Sequence, residues 1–518
     1  MQSRVGLVKE CLAPHAVRRW ATEAPDNVAL QSVGGEVLTY GQLDVEARRW
    51  AAAFLRRGIN PGDHVITFLP KSRAAFAAWL GLGWIRGVEV PLNAVLNGDL
   101  LQSAVSRSGA RHAIVGVDLL DAFEDALAHI DHRIEIDIVE RDGNAGFLGE
   151  PSHIDTLEGP SYRDINAVLY TSGTTGVSKG VLVPWATVYQ TWSWVPDEAL
   201  GIGDGVYSAF ALFHNSGRAV FNAAMARGAR LVWRDQFRAD DFWQDIKRSD
   251  CCAATLVGPM TAYLAAHTRD EDARDSPLRA VLCGPMIPDI EAFERRFGIR
   301  VATCYSSTEV GTALATDWNH GPWTTCGRPR TDYPWTEVRV VNQYDEPVGP
   351  GEIGELIVRS AEPWALAPGY YAMAEATAAA WRNGWFHTGD AFRVDPDGWY
   401  HLVDRLTDTI RRRGENISST ELESVVGQHP EVIECAAIGV PSPYGEQDVL
   451  VVIAVEAPAA FDARALIAWL GPRLPGFMVP RYIRAVPALP RNATTLRVQK
   501  HRLREVGAAG AWDREPPP

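Results

Sequence analysis

Leu169-Tyr170-Thr171-Ser172-Gly173-Thr174-Thr175-Gly176-Val177-Ser178-Lys179-Gly180 carries an apolar strand into a loop of glycines, hydroxyls and one lysine. Glycines let the backbone approach an anion closely, while hydroxyls and exposed N–H groups donate to phosphate oxygens. Lys179 adds a point charge. The pattern GxxxxGK[ST] fits nowhere, because Lys179 is followed by Gly180. The stretch therefore reads as a phosphate cradle at the end of a strand, but not as a Walker loop.

Working outward, the chain alternates helix and strand. Leu43, Ala47, Trp50 and Phe54 share one helical face, and Gly58 stops that helix. Pro61-Gly62-Asp63 turns into the apolar run Val65–Leu69; an Ala-rich helix over 72–86 leads to Val88–Leu92, and Ala113–Val117 follows. Further short apolar runs lie at Ala167–Tyr170, Leu231–Trp233, Ala280–Cys283 and Arg300–Thr303. This rhythm predicts an α/β layered fold with parallel pairing. The stretch from about 121 to 160 is weakly patterned and reads as surface-lying. Residues 337–358 alternate around a Gly/Pro turn, which predicts an antiparallel hairpin. After Asp404 a basic segment precedes a helix at about 420–428, for which Ser418 and Glu421 form a capping box. A boundary near 404–407 divides a large N-terminal α/β domain with a small β region (1–404) from a small, mobile C-terminal α+β domain (405–518).

Composition narrows the function classes. The 518 residues are 46% hydrophobic and 22% charged, as expected of a folded chain with a large core. A net charge of −14 argues against a nucleic-acid binder. Seven cysteines, with no CxxC pair, suit neither a disulfide scaffold nor a zinc site. No apolar run is long enough for a signal peptide or a membrane span, so a soluble, cytosolic protein is expected.

The 169–180 string resembles the phosphate loop of the adenylate-forming enzymes: acyl- and aryl-CoA ligases, amino-acid adenylation domains and firefly luciferase. The resemblance runs from 38–44 to 498–505 with motifs in family order, and is greatest to stand-alone acyl-CoA ligases of the crotonobetaine/carnitine-CoA ligase type. It implies that Thr171, Ser172, Gly173, Thr174, Thr175, Gly176 and Lys179 hold the phosphates of ATP. In Tyr305-Ser306-Ser307-Thr308-Glu309, Tyr305 would pack beside adenine, Thr308 would meet phosphate and Glu309 would hold Mg²⁺, a hard cation that takes oxygen ligands. Gly284 and Pro285 would line the adenine with their backbone. Asp390, in Trp385-Phe386-His387-Thr388-Gly389-Asp390, would accept both ribose hydroxyls, and Arg405 would reach ribose or phosphate. Phe213, His214 and Asn215 fall beside the acyl pocket. Trp185, Trp192 and Trp194 could border it, but core packing is their default.

Three positions depart from the family pattern. Thr407 replaces the usual Asp or Lys of the hinge. Arg413-Gly414 stands where relatives carry two glycines lining the pantetheine tunnel, so Arg413 either grips a CoA phosphate or narrows the tunnel. Arg497 takes the place of the C-terminal lysine that contacts carboxylate and α-phosphate, with Lys500 matching another position. Arginine stabilises phosphate charge too, but its planar fork is not a like-for-like substitute.

The resemblance implies ATP- and Mg²⁺-dependent activation of a carboxylic or aryl acid to an acyl-adenylate, pyrophosphate release, and transfer to CoA. Arg413 and Arg497 leave other readings open. These are a carrier protein or amine as acceptor, nitrite-dependent diazotisation of an aryl amine, or a non-catalytic adenylate-binding protein. A homodimer is compatible with any of them.

Overall fold

The computed structural model describes residues 9–128, 130, 132–141, 143–149, 154, 156–171, 178–405, 408, 410–412, 415–442, 446–491 and 498–515. Among them, two large sheets dominate the N-terminal part. One runs in the order Arg300–Ala302, Ala280–Cys283, Cys251–Leu256, Gly205–Ser208, Arg230–Trp233, Val28–Ser32 and Val37–Thr39, parallel except for the last pair. The other runs Glu135–Val139, His112–Gly116, His64–Phe68, Val88–Pro91, Ile165–Thr171 and Lys179–Pro184, again parallel except for its final hairpin. The inner strands, such as Cys251–Leu256 and Val88–Pro91, are buried along their whole length, as expected of sheets covered on both faces.

Between the sheets lies a layer of helices. Tyr40–Arg56 is capped by Thr39, whose hydroxyl accepts from the Gln42 N–H while the Gln42 side chain returns to the Thr39 N–H. Its Leu43, Ala47, Trp50 and Phe54 stripe is fully buried. Arg73–Trp84 is apolar all round and buried along almost its whole length, the mark of an internal helix. The two cross closely because position 81 is glycine: a Cβ there would lie 2.6 Å from the Trp50 Cβ. One core cluster joins these helices and Asn215–Arg227 to residues of both sheets, such as Val65, Ala167, Val206 and Leu231. Trp185 stacks on Trp79 within it (centroids 5.5 Å, 7° between planes), and Trp192 is buried there too.

An antiparallel sheet follows, containing Thr336–Val341, Gly354–Ser360, Trp381–Arg382, Trp385–Val394 and Tyr400–Arg405. The expected hairpin is its first pair, in register from Thr336–Ser360 to Val341–Glu355. The last residues form a separate four-stranded sheet, Glu434–Pro441, Gln447–Ala454, Tyr482–Val486 and Trp512–Asp513, with its own apolar cluster. The fold is thus a large α/β unit with a β region and a smaller α+β unit.

One local expectation needs correction. The weakly patterned 121–160 stretch is not merely surface-lying: Leu120–Leu127 buries Phe123 and Ala126, and Glu135–Val139 is an edge strand of the second sheet. The Ser418 hydroxyl donates to the Val403 carbonyl at 2.6 Å. The Asp404 carboxylate accepts the Ser419 N–H at 2.6 Å, at the first turn of the helix Ser419–Val426. The Glu421 side chain lies outside the described residues.

Candidate active site

The candidate segments emerge at the carboxyl ends of parallel strands, where ligands of open α/β sheets bind. Thr171 ends Ile165–Thr171, Phe210–His214 follows Gly205–Ser208, Gly284-Pro285 follows Ala280–Cys283, and residues 303–309 follow Arg300–Ala302. Ser172, Gly173, Thr174, Thr175 and Gly176 lie outside the described residues, but both ends of their loop are fixed. Thr171 pairs with Lys179 across the hairpin. Beyond the loop, Arg107 donates to the Ser178 carbonyl at 2.9 Å and stands 5.7 Å over the Tyr170 ring.

A strap of residues 365–371 joins this hairpin to the 305–309 motif. The Leu182 N–H donates to the Gly369 carbonyl at 3.0 Å, and the Tyr371 N–H to the Gly180 carbonyl at 2.7 Å. The Ala367 N–H donates to the Glu309 carbonyl at 2.8 Å. The Ala365 carbonyl accepts from Thr187 at 3.0 Å and from Gln190. Tyr370 is thereby placed between two predicted site residues. The Lys179 ammonium lies 4.9 Å from its ring centre, and its hydroxyl donates to Glu309 Oε1 at 3.0 Å. Burial, and next the adjacent Glu309 carboxylate, push the Tyr370 hydroxyl far up, so it stays a proton donor. Thr308 and Glu309 sit half-buried in the turn between Cys304–Ser307 and Gly311–Ala315.

A second cluster gathers Tyr305, Asp390 and Arg405. The Tyr305 hydroxyl donates to Asp390 Oδ2 at 2.6 Å, and Arg405 Nε lies 3.5 Å from Oδ1. Burial, the Asp390 carboxylate and, more weakly, Glu309 drive the Tyr305 hydroxyl well up. Asp390 and Arg405 face each other across paired strands. The strand Trp385–Val394 is irregular just before Asp390, where Gly389 takes φ +72°, and Glu355 braces it. Glu355 Oε1 accepts the Gly389 N–H at 2.9 Å, and Oε2 lies 2.8 Å from His387 Nδ1.

The 211–217 segment forms a third group. His214 occupies the N-cap position of the helix Asn215–Arg227, and its ring lies 4.6 Å from that of Phe213. Asn215 is buried, its Nδ2 donating to Thr191 Oγ1 at 2.9 Å. Trp194 is half-buried against Trp192 and donates to the Thr191 carbonyl at 3.0 Å. Arg413, Gly414, Thr407 and Arg497 lie outside the described residues. Lys500 is described: its ammonium lies 2.8 Å from Glu423 Oε1 and 2.5 Å from Ser419 Oγ.

Sequence reasoning missed Tyr370, Arg107 and Glu355. Each acts on a motif residue from far along the chain, and only the Gly369-Tyr370 pair ahead of a helix offered a local signal.

Among the described residues, no three His, Cys, Asp or Glu side chains gather as a metal site, and no helix is long and apolar enough to cross a membrane. Comparison with known proteins agrees with the geometry. The AMP-binding enzyme family matches residues 17–371, and the AMP-binding enzyme C-terminal domain matches 421–495. A feruloyl-CoA synthase of Amycolatopsis sp. is 31% identical over 485 residues, covering 92% of this chain and 94% of the relative. A crotonobetaine/carnitine–CoA ligase of Proteus mirabilis (strain HI4320) is 28% identical over 496 residues, covering 91% and 94%. The crystal structure of ATP-bound MatB from Rhodopseudomonas palustris superposes with a TM-score of 0.81 at 23% identity, covering 96% of this chain and 99% of that one. By its two matched domains, its relatives along nearly the whole chain and its fold, the chain belongs to the AMP-binding enzyme family and is an AMP-forming ligase.

Proposed function

We propose that the enzyme joins a carboxylic acid to CoA through an acyl-adenylate. The acid's carboxylate oxygen attacks the α-phosphorus of ATP and pyrophosphate leaves. The thiol of CoA then attacks the acyl carbonyl and AMP leaves with the bonding electrons. A carboxylate is a poor electrophile, and adenylation converts its oxygen into a leaving group.

The observation that carries this reading is the line from Lys179 through Tyr370 to Glu309, which sets a cation and a carboxylate at the mouth of the phosphate loop. One carboxylate fits Mg²⁺, which commonly binds through one or two carboxylates plus substrate phosphates. When bound, the ion would neutralise charge at the reacting phosphate. Tyr370 holds the Glu309 carboxylate in place for that purpose. In this reading the 171–176 loop, Lys179 and Thr308 bind phosphate, and Tyr305 and the Gly284-Pro285 backbone line adenine. Asp390 takes the ribose hydroxyls, with Arg405 beside it. Arg497 stabilises the α-phosphate from the C-terminal domain (405–518), which closes on the N-terminal one (1–404) and later presents Arg413 and Gly414 to CoA. Two relatives, one named a crotonobetaine/carnitine–CoA ligase and one a feruloyl-CoA synthase, support the acceptor. Phe213, His214 and Asn215 border the acid, and their ring-rich surroundings favour an aromatic or cyclic acid over a long aliphatic chain.

The test is pyrophosphate release over a panel of about a hundred acids, with CoA, a carrier protein, nitrite plus an aryl amine, or no acceptor. Release with an acid and CoA-dependent thioester formation are expected. Thioester-free turnover with another acceptor would overturn the CoA assignment.

Asp390→Ala is expected to weaken ATP binding by roughly ten- to a hundred-fold, since charge-assisted hydrogen bonds contribute ~1.5–3 kcal/mol. Asp390→Asn, which keeps an acceptor for the buried Tyr305 hydroxyl, serves as the stability control. Calorimetry with ATP reads the effect, and an unchanged dissociation constant would remove Asp390 from the nucleotide site.

A further inference from the structure

Arg218 lies one turn into the helix Asn215–Arg227, is 0% exposed, and has no place in the chemistry above. Its guanidinium is used on three sides. Nε donates to the Leu212 carbonyl at 2.7 Å, Nη1 to Asn166 Oδ1 at 3.1 Å, and Nη2 to Glu89 Oε2 at 2.5 Å. Its face lies 4.8 Å from the centre of the Trp79 ring. Glu89, itself buried, accepts from Thr67 with its other oxygen. The network thus spans three neighbouring strands of the second sheet, the inter-sheet helix Arg73–Trp84 and the turn ahead of Asn215–Arg227.

Two of the anchored groups stand next to proposed substrate sites. Leu212 immediately precedes Phe213 and His214. Asn166 lies on Ile165–Thr171, the strand that feeds the phosphate loop. A buried ion pair is weak evidence for stability, because desolvation offsets the attraction and apolar replacements are often neutral. What the pair does supply is direction, since guanidinium donors leave a rigid planar fork at fixed angles.

We propose that Arg218 is a positioning residue that sets the acid pocket against the phosphate loop, fixing where the acid's carboxylate meets the α-phosphate. The inference rests on the placing of the acid beside 211–217. It predicts a split between substrates. ATP is held by groups outside this network, whereas the acid's attack depends on registry between the two segments. A misplacement of about 1 Å at a reacting centre costs on the order of 10²-fold in rate.

The test variant is Arg218→Met with Glu89→Gln, which removes both buried charges and leaves Thr67 an acceptor. In a folded double variant, kcat/KM for the acid is expected to fall about 10²-fold. The KM for ATP should stay within about threefold, and the ranking of acids of different shape should flatten. Should the double variant fail to fold, Arg218→Lys is measured instead. It keeps a charge opposite Glu89 without the fork, so the same split is expected. Parent-like efficiency with the acid, or a rise in the KM for ATP as large as the loss of efficiency with the acid, would overturn the proposal.

His214→Ala, assayed alongside, separates two kinds of failure. It is expected to re-rank the acids while sparing the KM for ATP. If His214→Ala re-ranks the acids and the Arg218 variants do not, the coupling alone is wrong. If His214→Ala lowers every acid equally, the placing of the acid pocket is wrong and the coupling falls with it.

Discussion

Glu309→Gln is expected to abolish ATP-dependent pyrophosphate release while leaving the protein folded. The substitution is nearly isosteric and keeps an oxygen to accept the Tyr370 hydroxyl, so the bridge towards Lys179 survives. What it removes is the negative charge proposed to hold Mg²⁺ at the reacting phosphate, a contribution of several kcal/mol in metal-assisted reactions. Circular dichroism and thermal melting check the fold, and a coupled pyrophosphate assay across a Mg²⁺ titration checks the chemistry. Near-parent activity at saturating Mg²⁺ would show that Glu309 does not hold the metal.

The second large effect concerns Arg497. Arg497→Ala is expected to slow adenylate formation by about 10²–10³-fold, the usual cost of losing one preorganised charge-stabilising donor. A chemically made acyl-adenylate offered to the same variant should still become the thioester at near the parental rate. Arg413→Gly should do the reverse, altering CoA transfer and sparing pyrophosphate release. Lys500 is the competing candidate, but its ammonium is engaged by Glu423 and Ser419. Lys500→Ala should therefore leave Glu423 and Ser419 without this partner, read as a lower melting temperature, with adenylation retained. Normal adenylation by Arg497→Ala together with its loss in Lys500→Ala would transfer the role to Lys500.

Most of the layered fold was legible because its signals are local. The spacing of Leu43, Ala47, Trp50 and Phe54 marks a helix face, and unbroken apolar runs such as Ala280–Cys283 mark strands of doubly covered sheets. The strand Glu135–Val139 was missed because it lies at a sheet edge and is half polar. Its buried Asp137 pairs with Arg57, eighty positions away in the chain. The site shows the same division. Tyr305, Glu309 and Asp390 sit in contiguous motifs whose resemblance to the family implies adenine, metal and ribose. Tyr370 and Arg218 act through partners such as Glu309 and Glu89, 61 and 129 residues distant, and no periodicity reports such meetings. Lys500 illustrates the limit within a motif, since counting residues shows a lysine but not the carboxylate that occupies it.

Asp404, at the proposed domain boundary, grips the first turn of Ser419–Val426 through the Ser419 N–H and, at 3.4 Å, the Thr420 hydroxyl. A carboxylate at a helix N-terminus contributes roughly 0.3–2 kcal/mol. Expressed as populations, that favours one orientation of the following unit over another by a factor between about two and thirty. In the proposed closure of the C-terminal domain, such a grip would act as a detent: firm enough to define a resting angle, yet released by ordinary thermal agitation.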